Sequence, residues 1–222
     1  MPAERAHGIV LRCRPLSETS LIVHWLTREH GRLTTVAKGA RRPKSAFRGQ
    51  LDAFYRADFA FVRSRRSDLH TLTEVMLADP HPRLRTEYAS LRAAAYAAQL
   101  IEQATEPETP LPGIFELLVN LLEALAHIPP SAATVLGFEL RMLDELGLAP
   151  DLAQARLAPA VRELAEQLAD SPSIVTPPPP APAAVAALNH FLHGFLIYHL
   201  GRIPPRRAAV LAALTTPGGS PH

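Results

Sequence analysis

The chain has 222 residues, of which 47% are hydrophobic and 20% charged, and its formal net charge is +2. This composition is typical of a globular protein and argues against intrinsic disorder. No run of 18 apolar residues is present, so we expect no membrane-spanning helix, and the early charges are unlike those of a secretory signal. The single cysteine, Cys13, excludes an intramolecular disulfide and a thiolate zinc cluster within the chain. These features together predict a cytoplasmic protein.

Charge is distributed unevenly along the chain. Residues 1–80 contain 14 Lys and Arg against 8 Asp and Glu, whereas residues 81–222 contain 9 against 13. A basic front half and an acidic back half indicate different partners for the two halves. The basic half is the candidate for binding a polyanion such as a nucleic acid.

Residues 1–80 have the pattern of short β-strands. Five runs rich in Val, Ile, Leu, Thr and aromatic residues are separated by breaks that contain Gly or Pro. Five short strands in a segment of this length are too few for a sandwich and suit a small closed barrel, so the pattern predicts a five-stranded OB-fold. The predicted strands are Gly8–Arg14, Ser20–Leu26, Arg32–Ala37, Phe54–Val62 and Leu69–Leu77.

A change from strands to helices is predicted at Pro80 and Pro82, because closely spaced prolines disfavour both kinds of regular structure. Beyond them, Ala- and Leu-rich segments with helical spacing predict an α-helical domain over residues 81–215, with Ser131 as an N-cap and Gly147 as a helix stop. The predicted fold class is therefore α+β, a β-barrel followed by an all-α domain. The predicted helices are Arg83–Ala104, Pro112–Ile128, Ser131–Leu146, Pro159–Ala169 and Ala183–Gly201.

Two segments are expected to lack helix and strand. Ser171–Pro182 contains four consecutive prolines, which favour a stiff polyproline II connector. A ligand for a proline-reading domain is the alternative interpretation of this segment. Residues 216–222 are rich in Gly, Ser and Pro, and we expect them to form a disordered tail.

The most informative stretch of the sequence is a run of cations around the end of the third predicted strand. Between residues 28 and 48, seven Lys and Arg stand against one acid, Glu29. Clustered cations on a loop can neutralise phosphates and release their counterions, whereas a solvated surface loop is the alternative interpretation. A second cluster follows the fourth predicted strand and could lie beside the first in a small barrel. The candidate nucleic-acid-binding residues are Arg32, Lys38, Arg41, Arg42, Lys44 and Arg48 in the first cluster and Arg63, Arg65 and Arg66 in the second.

Aromatic residues lie between the two basic clusters. Phe47, Phe54 and Tyr55 could stack on bases if their rings are exposed. Phe59 and Phe61 are expected in the barrel core, and the position of Trp25 in the second strand predicts the same for its indole.

No motif for catalysis or metal binding stands out. A nucleophile relay, a Walker loop and a dinucleotide fingerprint are all missing from the sequence, so we expect no enzymatic activity and no cofactor. His190 and His193 are one helical turn apart, but no obvious third ligand follows, so we expect no metal site. The residues alone leave three functions open: a DNA-binding barrel, an RNA-binding barrel, and a protein-interaction module in which the charges only keep the barrel soluble.

Several short motifs, taken in their order along the chain, carry a resemblance to a known family. They are Gly8-Ile-Val-Leu-Arg12, Leu26-Thr-Arg-Glu-His-Gly31, Ala37-Lys-Gly-Ala-Arg-Arg-Pro-Lys-Ser45, Asp68-Leu-His-Thr-Leu-Thr-Glu74 and Phe191-Leu-His-Gly-Phe-Leu-Ile-Tyr-His-Leu-Gly201. Over nearly the whole chain this order resembles the RecO family of bacterial DNA repair proteins. The Lys-Gly-Ala-Arg-Arg block is the most specific part.

The resemblance implies an OB-fold, a helical domain and a recombination mediator associated with the nucleoid. Such a protein binds single- and double-stranded DNA and anneals complementary strands. The resemblance also implies action with RecR, and in many bacteria with RecF, to load the RecA recombinase onto strands coated by single-strand-binding protein. The family's basic DNA-contacting region corresponds here to Lys38, Arg41, Arg42, Lys44 and Arg48.

Docking of single-strand-binding protein would need a particular surface. Its C-terminal tail is acidic with an apolar end, which requires an apolar groove rimmed by cations. The candidate rim residues in the helical domain are Arg92, Arg141 and Arg156.

One feature of the family is missing from the sequence. Many members carry a four-cysteine zinc site after a Leu-Gly that ends a helix, but this chain has no cysteine beyond Leu146-Gly147. We therefore expect no zinc, and we expect apolar packing in the region Ala149–Pro182 to replace it.

Overall fold

The computed structural model describes residues 2–171 and 180–215. Most of the predicted connector and the whole predicted tail lie outside the described residues. Contacts divide the chain into a barrel unit, Met1–Pro82 with Thr105–Glu116, and a helical unit, Arg83–Ala104 with Leu117–His222. This division differs from the sequence-based one in the segment Thr105–Glu116, which lies beyond residue 80 but packs with the barrel.

The barrel unit contains five strands that close on themselves in the order β1-β2-β3-β5-β4. Neighbouring strands are antiparallel except β3 and β5, which pair in parallel from Thr34 with Leu69 to Val36 with Thr71. This topology confirms the predicted five-stranded OB-fold. The strands are β1 (Glu4–Pro15), β2 (Leu21–Thr27), β3 (Gly31–Ala37), β4 (Arg56–Val62) and β5 (Leu69–Asp79).

The predicted strand bounds are wrong by two or more residues at three places: the start of β1, the start of β4, and the end of β5, which extends to Asp79 and not to Leu77. β1 begins four residues earlier than predicted, because the segment from Glu4 to Ile9 pairs with β4. β4 begins at Arg56 and not at Phe54, whose φ of 67° is incompatible with a strand. The backbone of Phe54 is instead held by hydrogen bonds, because its N–H donates to the Val10 carbonyl and its carbonyl accepts from His81 Nδ1.

Aromatic side chains fill the barrel core. Trp25 is fully buried, its ring stacks on Phe59 with centroids 4.1 Å apart, and its indole N–H donates to Thr35 Oγ1 at 2.9 Å. Phe61 is also fully buried, so the predicted core positions of the three aromatic residues are confirmed. Cys13 packs against this core, and burial raises the pKa of its thiol to about 12. The thiol is therefore protonated and unreactive near neutral pH.

The segment Thr105–Glu116 lies against the start of β3. Pro107 forms a β-bridge with Arg32, and the Glu108 N–H donates to the Arg32 carbonyl at 2.9 Å. At Gly31, where φ is 65°, an added Cβ would lie 2.0 Å from the Thr109 carbonyl oxygen. Both the backbone conformation and the close approach therefore require glycine at this position.

Gly31→Ala is expected to lower the free energy of unfolding by about 3 kcal/mol, because it adds backbone strain and a clash with main-chain atoms. Urea unfolding followed by the fluorescence of Trp25, the one tryptophan of the chain, measures this loss. Gly49→Ala is the matched control, since Gly49 has a φ of 74° but open space around an added Cβ. Equal losses in the two variants would contradict the close approach at Thr109.

Beyond the strands, the described residues contain a short 3-10 turn, Pro82–Arg85, and six α-helices. The predicted second to fifth helices are confirmed to within one residue at each end, whereas the first begins five residues later, because this 3-10 turn precedes it. The sixth helix was not predicted. The helices are α1 (Tyr88–Ala104), α2 (Pro112–His127), α3 (Ala132–Glu145), α4 (Pro159–Asp170), α5 (Pro182–Leu200) and α6 (Arg206–Thr215).

Two predicted helix signals are confirmed at the ends of α3. The Ser131 hydroxyl accepts the Thr134 N–H, and the Thr134 hydroxyl accepts the Ser131 N–H, which forms a capping box. Gly147 follows the helix with a φ of 69° and donates its N–H to the Asp144 carbonyl. These caps define the ends of the helix that supplies a buried carboxylate, Glu139, to the centre of the bundle.

A buried ion pair joins several helices of the helical unit. Arg207 donates to both carboxylate oxygens of Glu139, from Nε at 2.8 Å and from a terminal nitrogen at 2.7 Å, and also to Asn189 Oδ1. The Tyr96 hydroxyl donates to the same carboxylate. Burial alone would lower the pKa of Arg207, but the hydrogen bonds and charge of Glu139 outweigh it and raise that pKa. Burial and the Glu139 charge also raise the pKa of Tyr96. Arg207 therefore stays protonated inside the bundle.

Packing in the region after Leu146-Gly147 is apolar. α4 buries Val161, Leu164 and Leu168, and it packs against α3 and α5.

α5 is the one described helix whose length and composition would allow it to span a membrane. Core helices of many proteins meet the same criterion, so it does not by itself assign α5 to a membrane. Leu188, Leu192 and Leu196 of α5 are buried within the bundle.

Candidate nucleic-acid interface

The basic loop, residues 38–51, leaves the end of β3 as a succession of tight turns. The N–H groups of Arg42, Ser45 and Arg48 each donate to the carbonyl three residues earlier, at 3.0 to 3.2 Å. Gly39 opens the first turn with a φ of 72°, a conformation that favours glycine. The loop therefore has a defined backbone conformation although it contains no helix or strand.

Several contacts attach the basic loop to the barrel. Phe47 and Leu51 pack against the barrel core, and Gln50 Oε1 accepts the N–H of Leu77 in β5. Arg41 donates from its backbone N–H to the Thr19 carbonyl and from its guanidinium to the Ser17 carbonyl. These contacts hold the loop beside the turn between β1 and β2.

The cations of the basic loop are accessible to solvent, although the guanidinium groups of Arg41 and Arg48 each also donate to a backbone carbonyl. All five of its cations are exposed, and residues 38–51 contain no Asp or Glu. The adjoining turn between β1 and β2 contributes one exposed acid, Glu18. An excess of cations on a fixed backbone can neutralise several phosphates of one nucleic-acid strand. The cations are Lys38, Arg41, Arg42, Lys44 and Arg48.

The aromatic residues near the basic loop are used for packing. Phe54 is buried, and Phe47 and Tyr55 are half-buried against the barrel core. Base stacking by these rings, one of the roles considered from the sequence, is therefore not favoured by their positions. The geometry fits contacts to the phosphate backbone, which carry little sequence preference.

The second basic cluster, formed by Arg63, Arg65 and Arg66, lies at the end of the barrel opposite to the basic loop. Because β3 and β5 are parallel and Leu69 pairs with Thr34, the turn before β5 extends toward the start of β3, whereas the basic loop follows its end. The expectation that the two clusters lie side by side is therefore wrong for the basic loop, whereas Arg32 of the first cluster lies at the start of β3, at the same end as the second cluster. Arg65 and Arg66 are exposed in this turn, and their contact with DNA stays a prediction.

Two of the candidate cations are engaged within the barrel unit. Arg32 donates to the hydroxyl and the carbonyl of Thr105. Arg63 forms ion pairs with Glu4 and Glu108, and these partners raise its pKa although burial opposes the shift. Both arginines therefore stabilise the contact between the barrel strands and the segment Thr105–Glu116.

Sequence reasoning missed the role of Glu108. This carboxylate accepts hydrogen bonds from Arg63 and from Nε2 of buried His70, while Nδ1 of His70 accepts the Ser64 N–H. The partners are 38 and 45 residues away in sequence, so no local pattern could have identified them.

The three candidate partner-binding arginines of the helical unit are not brought together. Arg92 lies on α1, its guanidinium is 5.5 Å from the ring centroid of exposed Tyr88, and it donates to the Ala209 carbonyl of α6. Arg141 is half-buried and donates to the Leu168 carbonyl, and burial lowers its pKa. Arg156 is exposed in the segment before α4.

Arg92 lines a groove between α1 and α6, here called the α1–α6 groove, with a volume of about 460 Å³. Its floor is apolar, and the missed helix α6 contributes a second cation, Arg206. The signal for α6 was Pro204-Pro205 followed by Val210, Leu211 and Leu214 at helical spacing. The groove is lined by Tyr88, Leu91, Arg92, Ala95, Arg206, Ala209 and Val210.

Among residues 2–171 and 180–215, no group of three or more His, Cys, Asp or Glu is placed to hold a metal ion. His190 and His193 lie on a shallow groove lined by α5 and α6, together with Asn189 and Arg207. Asn189 and Arg207 already bond to each other, so they leave no obvious ligand set there.

Comparison with known proteins identifies the family. Residues 1–81 match the family model described as Recombination protein O N terminal, and residues 85–155 match Recombination protein O C terminal. DNA repair protein RecO of Exiguobacterium sibiricum is 33% identical over 150 residues, which are 67% of this chain and 59% of that protein. The RecO proteins of Haemophilus influenzae and Anaeromyxobacter dehalogenans are each 36% identical over 68% of this chain, covering 62% and 60% of their own lengths.

The chain thus spans about 60% of the length of the curated relatives that it matches. The two family models follow each other in the same order as the barrel and the first three helices. Together they cover most of the described chain, and the motifs that resembled the RecO family lie mainly within them. The chain therefore belongs to the recombination protein O family.

Proposed function

We propose that this protein is a non-catalytic mediator of DNA repair and recombination that binds single- and double-stranded DNA through the basic loop. One observation carries the proposal: five exposed cations lie on an ordered loop whose residues 38–51 contain no carboxylate. The names of the relatives, DNA repair protein RecO, support the same function.

The mechanism is stoichiometric. Cations of the basic loop contact the phosphates of a strand and leave its bases available for pairing. Neutralisation of part of the charge of two complementary strands lowers their mutual repulsion, and this promotes annealing. The helical unit docks protein partners, RecR and the tail of single-strand-binding protein among them, and so helps to load recombinase onto coated strands.

The α1–α6 groove is the proposed docking site for the tail of single-strand-binding protein. Its apolar floor suits the apolar end of that tail, and Arg92 and Arg206 suit its acidic residues. Of the three arginines selected from the sequence, only Arg92 lines this groove.

The DNA proposal is tested by fluorescence anisotropy of a labelled single-stranded oligonucleotide at several salt concentrations. Each phosphate contact is expected to lower log K by about 0.7 for each tenfold rise in salt, so that five contacts give a slope near −3.5. A DNA duplex of the same sequence is also expected to bind. RNA of matched sequence that displaces the DNA would indicate an RNA-binding barrel, because only RNA offers the 2′-hydroxyl. A protein that binds neither the single-stranded DNA, nor the duplex, nor the RNA would contradict the proposed DNA binding and favour a protein-interaction module.

Arg206→Glu is expected to weaken binding of the C-terminal peptide of single-strand-binding protein about tenfold or more, because it places a like charge at the rim of the groove. Titration of a fluorescently labelled peptide measures the change. Arg202→Glu is the control, since Arg202 is exposed and carries the same charge outside the groove. Equal effects of the two substitutions would indicate a response to net charge only, and the groove assignment would then be abandoned.

A further inference from the structure

Two large apolar side chains are exposed among the described residues of the barrel unit, Leu16 at 50% and Met76 at 65%. Met76 lies on β5 opposite Asp58 of β4, and Glu74 of the same strand is also exposed. Leu16 lies instead in the β1–β2 tip, residues 16–20, which contacts the basic loop. Leu16 therefore adjoins cations that could bind a polyanion, whereas Met76 lies beside carboxylates.

The backbone of the β1–β2 tip is fixed by its own hydrogen bonds. The N–H groups of Leu16 and Ser17 donate to the Ser20 carbonyl at 3.0 and 3.4 Å. The Ser17 hydroxyl accepts the N–H groups of Thr19 and Ser20. Leu16 is therefore exposed in a defined position, and little conformational entropy is lost when a partner contacts it.

The β1–β2 tip and the basic loop form one surface. The Arg41 guanidinium donates to the Ser17 carbonyl at 2.9 Å. Leu16 precedes Ser17, and consecutive Cα atoms are about 3.8 Å apart, so the leucine side chain starts within one residue of this contact. Arg14, exposed near the end of β1, offsets the charge of Glu18, the one acid of the tip. An exposed apolar side chain and a group of cations thus adjoin each other.

A nucleotide of a single strand offers a partner for both. Its phosphate is an anion, and the faces of its base are accessible to apolar contact when the strand is not paired. Leucine is among the apolar side chains that proteins insert against bases. The rings of Phe47, Phe54 and Tyr55 are used in packing, so Leu16 is the large apolar side chain that stays exposed beside the basic loop among the described residues.

We propose that Leu16 contacts the face of a base of single-stranded DNA while cations of the basic loop hold the adjoining phosphates. The inference rests on the proposed DNA binding and adds a base contact to it. A single leucine covers one base, so the other bases of the bound strand stay available for pairing. In a duplex the faces of the bases are stacked on each other, and separating them costs free energy, so the contact favours single strands.

A strand that lacks bases tests the proposal. Fluorescence anisotropy with the full chain compares labelled oligothymidylate with an abasic strand of equal length, which keeps every phosphate. The wild type is expected to bind oligothymidylate about fivefold more tightly, the effect of burying roughly half of a leucine side chain. Leu16→Asn keeps a side chain of similar size but removes its apolar surface. This variant should lose the preference and bind the abasic strand like the wild type.

Met76→Asn is the matched control, since it makes the same kind of change at the exposed apolar side chain beside the carboxylates. It should keep the preference of the wild type. Leu16→Asn should also bind a duplex of the thymidylate strand and its complement like the wild type, which a damaged fold would not do. In the opposite direction, Leu16→Trp should raise the preference for oligothymidylate above the wild-type value, because an aromatic ring stacks on a base.

The outcomes separate the base contact from the DNA binding on which it rests. A wild type that binds both strands with equal affinity leaves the proposed DNA binding intact and overturns the base contact alone. A wild type that binds neither strand overturns both. A Leu16→Asn variant that keeps the wild-type preference, or a Met76→Asn variant that loses it to the same extent, overturns the assignment of the contact to the β1–β2 tip.

Discussion

Replacement of Lys38, Arg41, Arg42 and Lys44 together by alanine is expected to weaken binding of a single-stranded oligonucleotide by about two to three orders of magnitude near 0.1 M salt. Each phosphate contact contributes about 0.7 log unit at this concentration, relative to 1 M salt, through release of counterions. The four side chains are exposed, and the loop that carries them keeps its backbone through main-chain bonds and the packing of Phe47. The variant should therefore lose affinity without losing its fold.

The salt dependence of oligonucleotide binding distinguishes a loss of phosphate contacts in the basic loop from a general effect of lower net charge. Anisotropy titrations at several salt concentrations should give the variant a slope flatter by about 2.8, the sum for four contacts. A second variant with alanine at four exposed arginines of the helical unit loses the same net charge and is the control. These control positions are Arg83, Arg85, Arg156 and Arg202.

Two results would contradict a phosphate site in the basic loop. One is a loop variant that binds with the affinity and slope of the wild type. The other is a control variant that loses as much affinity as the loop variant, since net charge alone would then explain both. Circular dichroism of both variants before titration excludes unfolding as the cause.

The barrel was predictable because its signals are local. Short β-branched and aromatic runs between glycines and prolines specify strands, and their number suits only a small closed barrel. The bounds of β4 were less predictable, because Phe54 looks like a strand residue. Its positive φ depends on hydrogen bonds with Val10 and His81, which are distant in sequence.

The sequence did not distinguish the candidate cations that are exposed in the basic loop from those that contact other residues of the protein. Lys38 and Lys44 are exposed in the basic loop, whereas Arg32 and Arg63 contact Thr105 and Glu108. A basic residue has the same appearance in a sequence whether its partner is a phosphate or a carboxylate. The difference here arises from a segment more than forty residues farther along the chain, which the topology returns to the barrel.

Glu139 illustrates the same limit in the helical unit. The sequence assigns it to a helix with apolar neighbours, but its partner Arg207 lies 68 residues away in a helix that was not predicted. Only the packing of the bundle brings the two charges together. The ion pair is consequently the feature whose removal should affect the stability of this unit most.

Arg207→Ala is expected to lower the free energy of unfolding of the helical unit by about 3 to 5 kcal/mol, because the fully buried Glu139 carboxylate loses its counter-charge. Tyr96 still donates one hydrogen bond to this carboxylate but cannot neutralise it. Urea unfolding followed by far-ultraviolet circular dichroism measures the loss, since most of the helices belong to this unit. Arg202→Ala, at an exposed position, is the control and should lose less than about 0.5 kcal/mol.

A double variant separates the charge from the packing. Arg207→Met with Glu139→Gln removes both charges and keeps similar volumes, so it should recover a large part of the stability lost in Arg207→Ala. Recovery would mean that Arg207→Ala loses stability because it leaves a buried charge unpaired, and not because α6 loses contacts. A double variant as unstable as the single one would contradict an origin in the unpaired charge. It would indicate that the bonds of Arg207 to Asn189 and Glu139 hold α6 on the bundle, and that apolar packing cannot replace them.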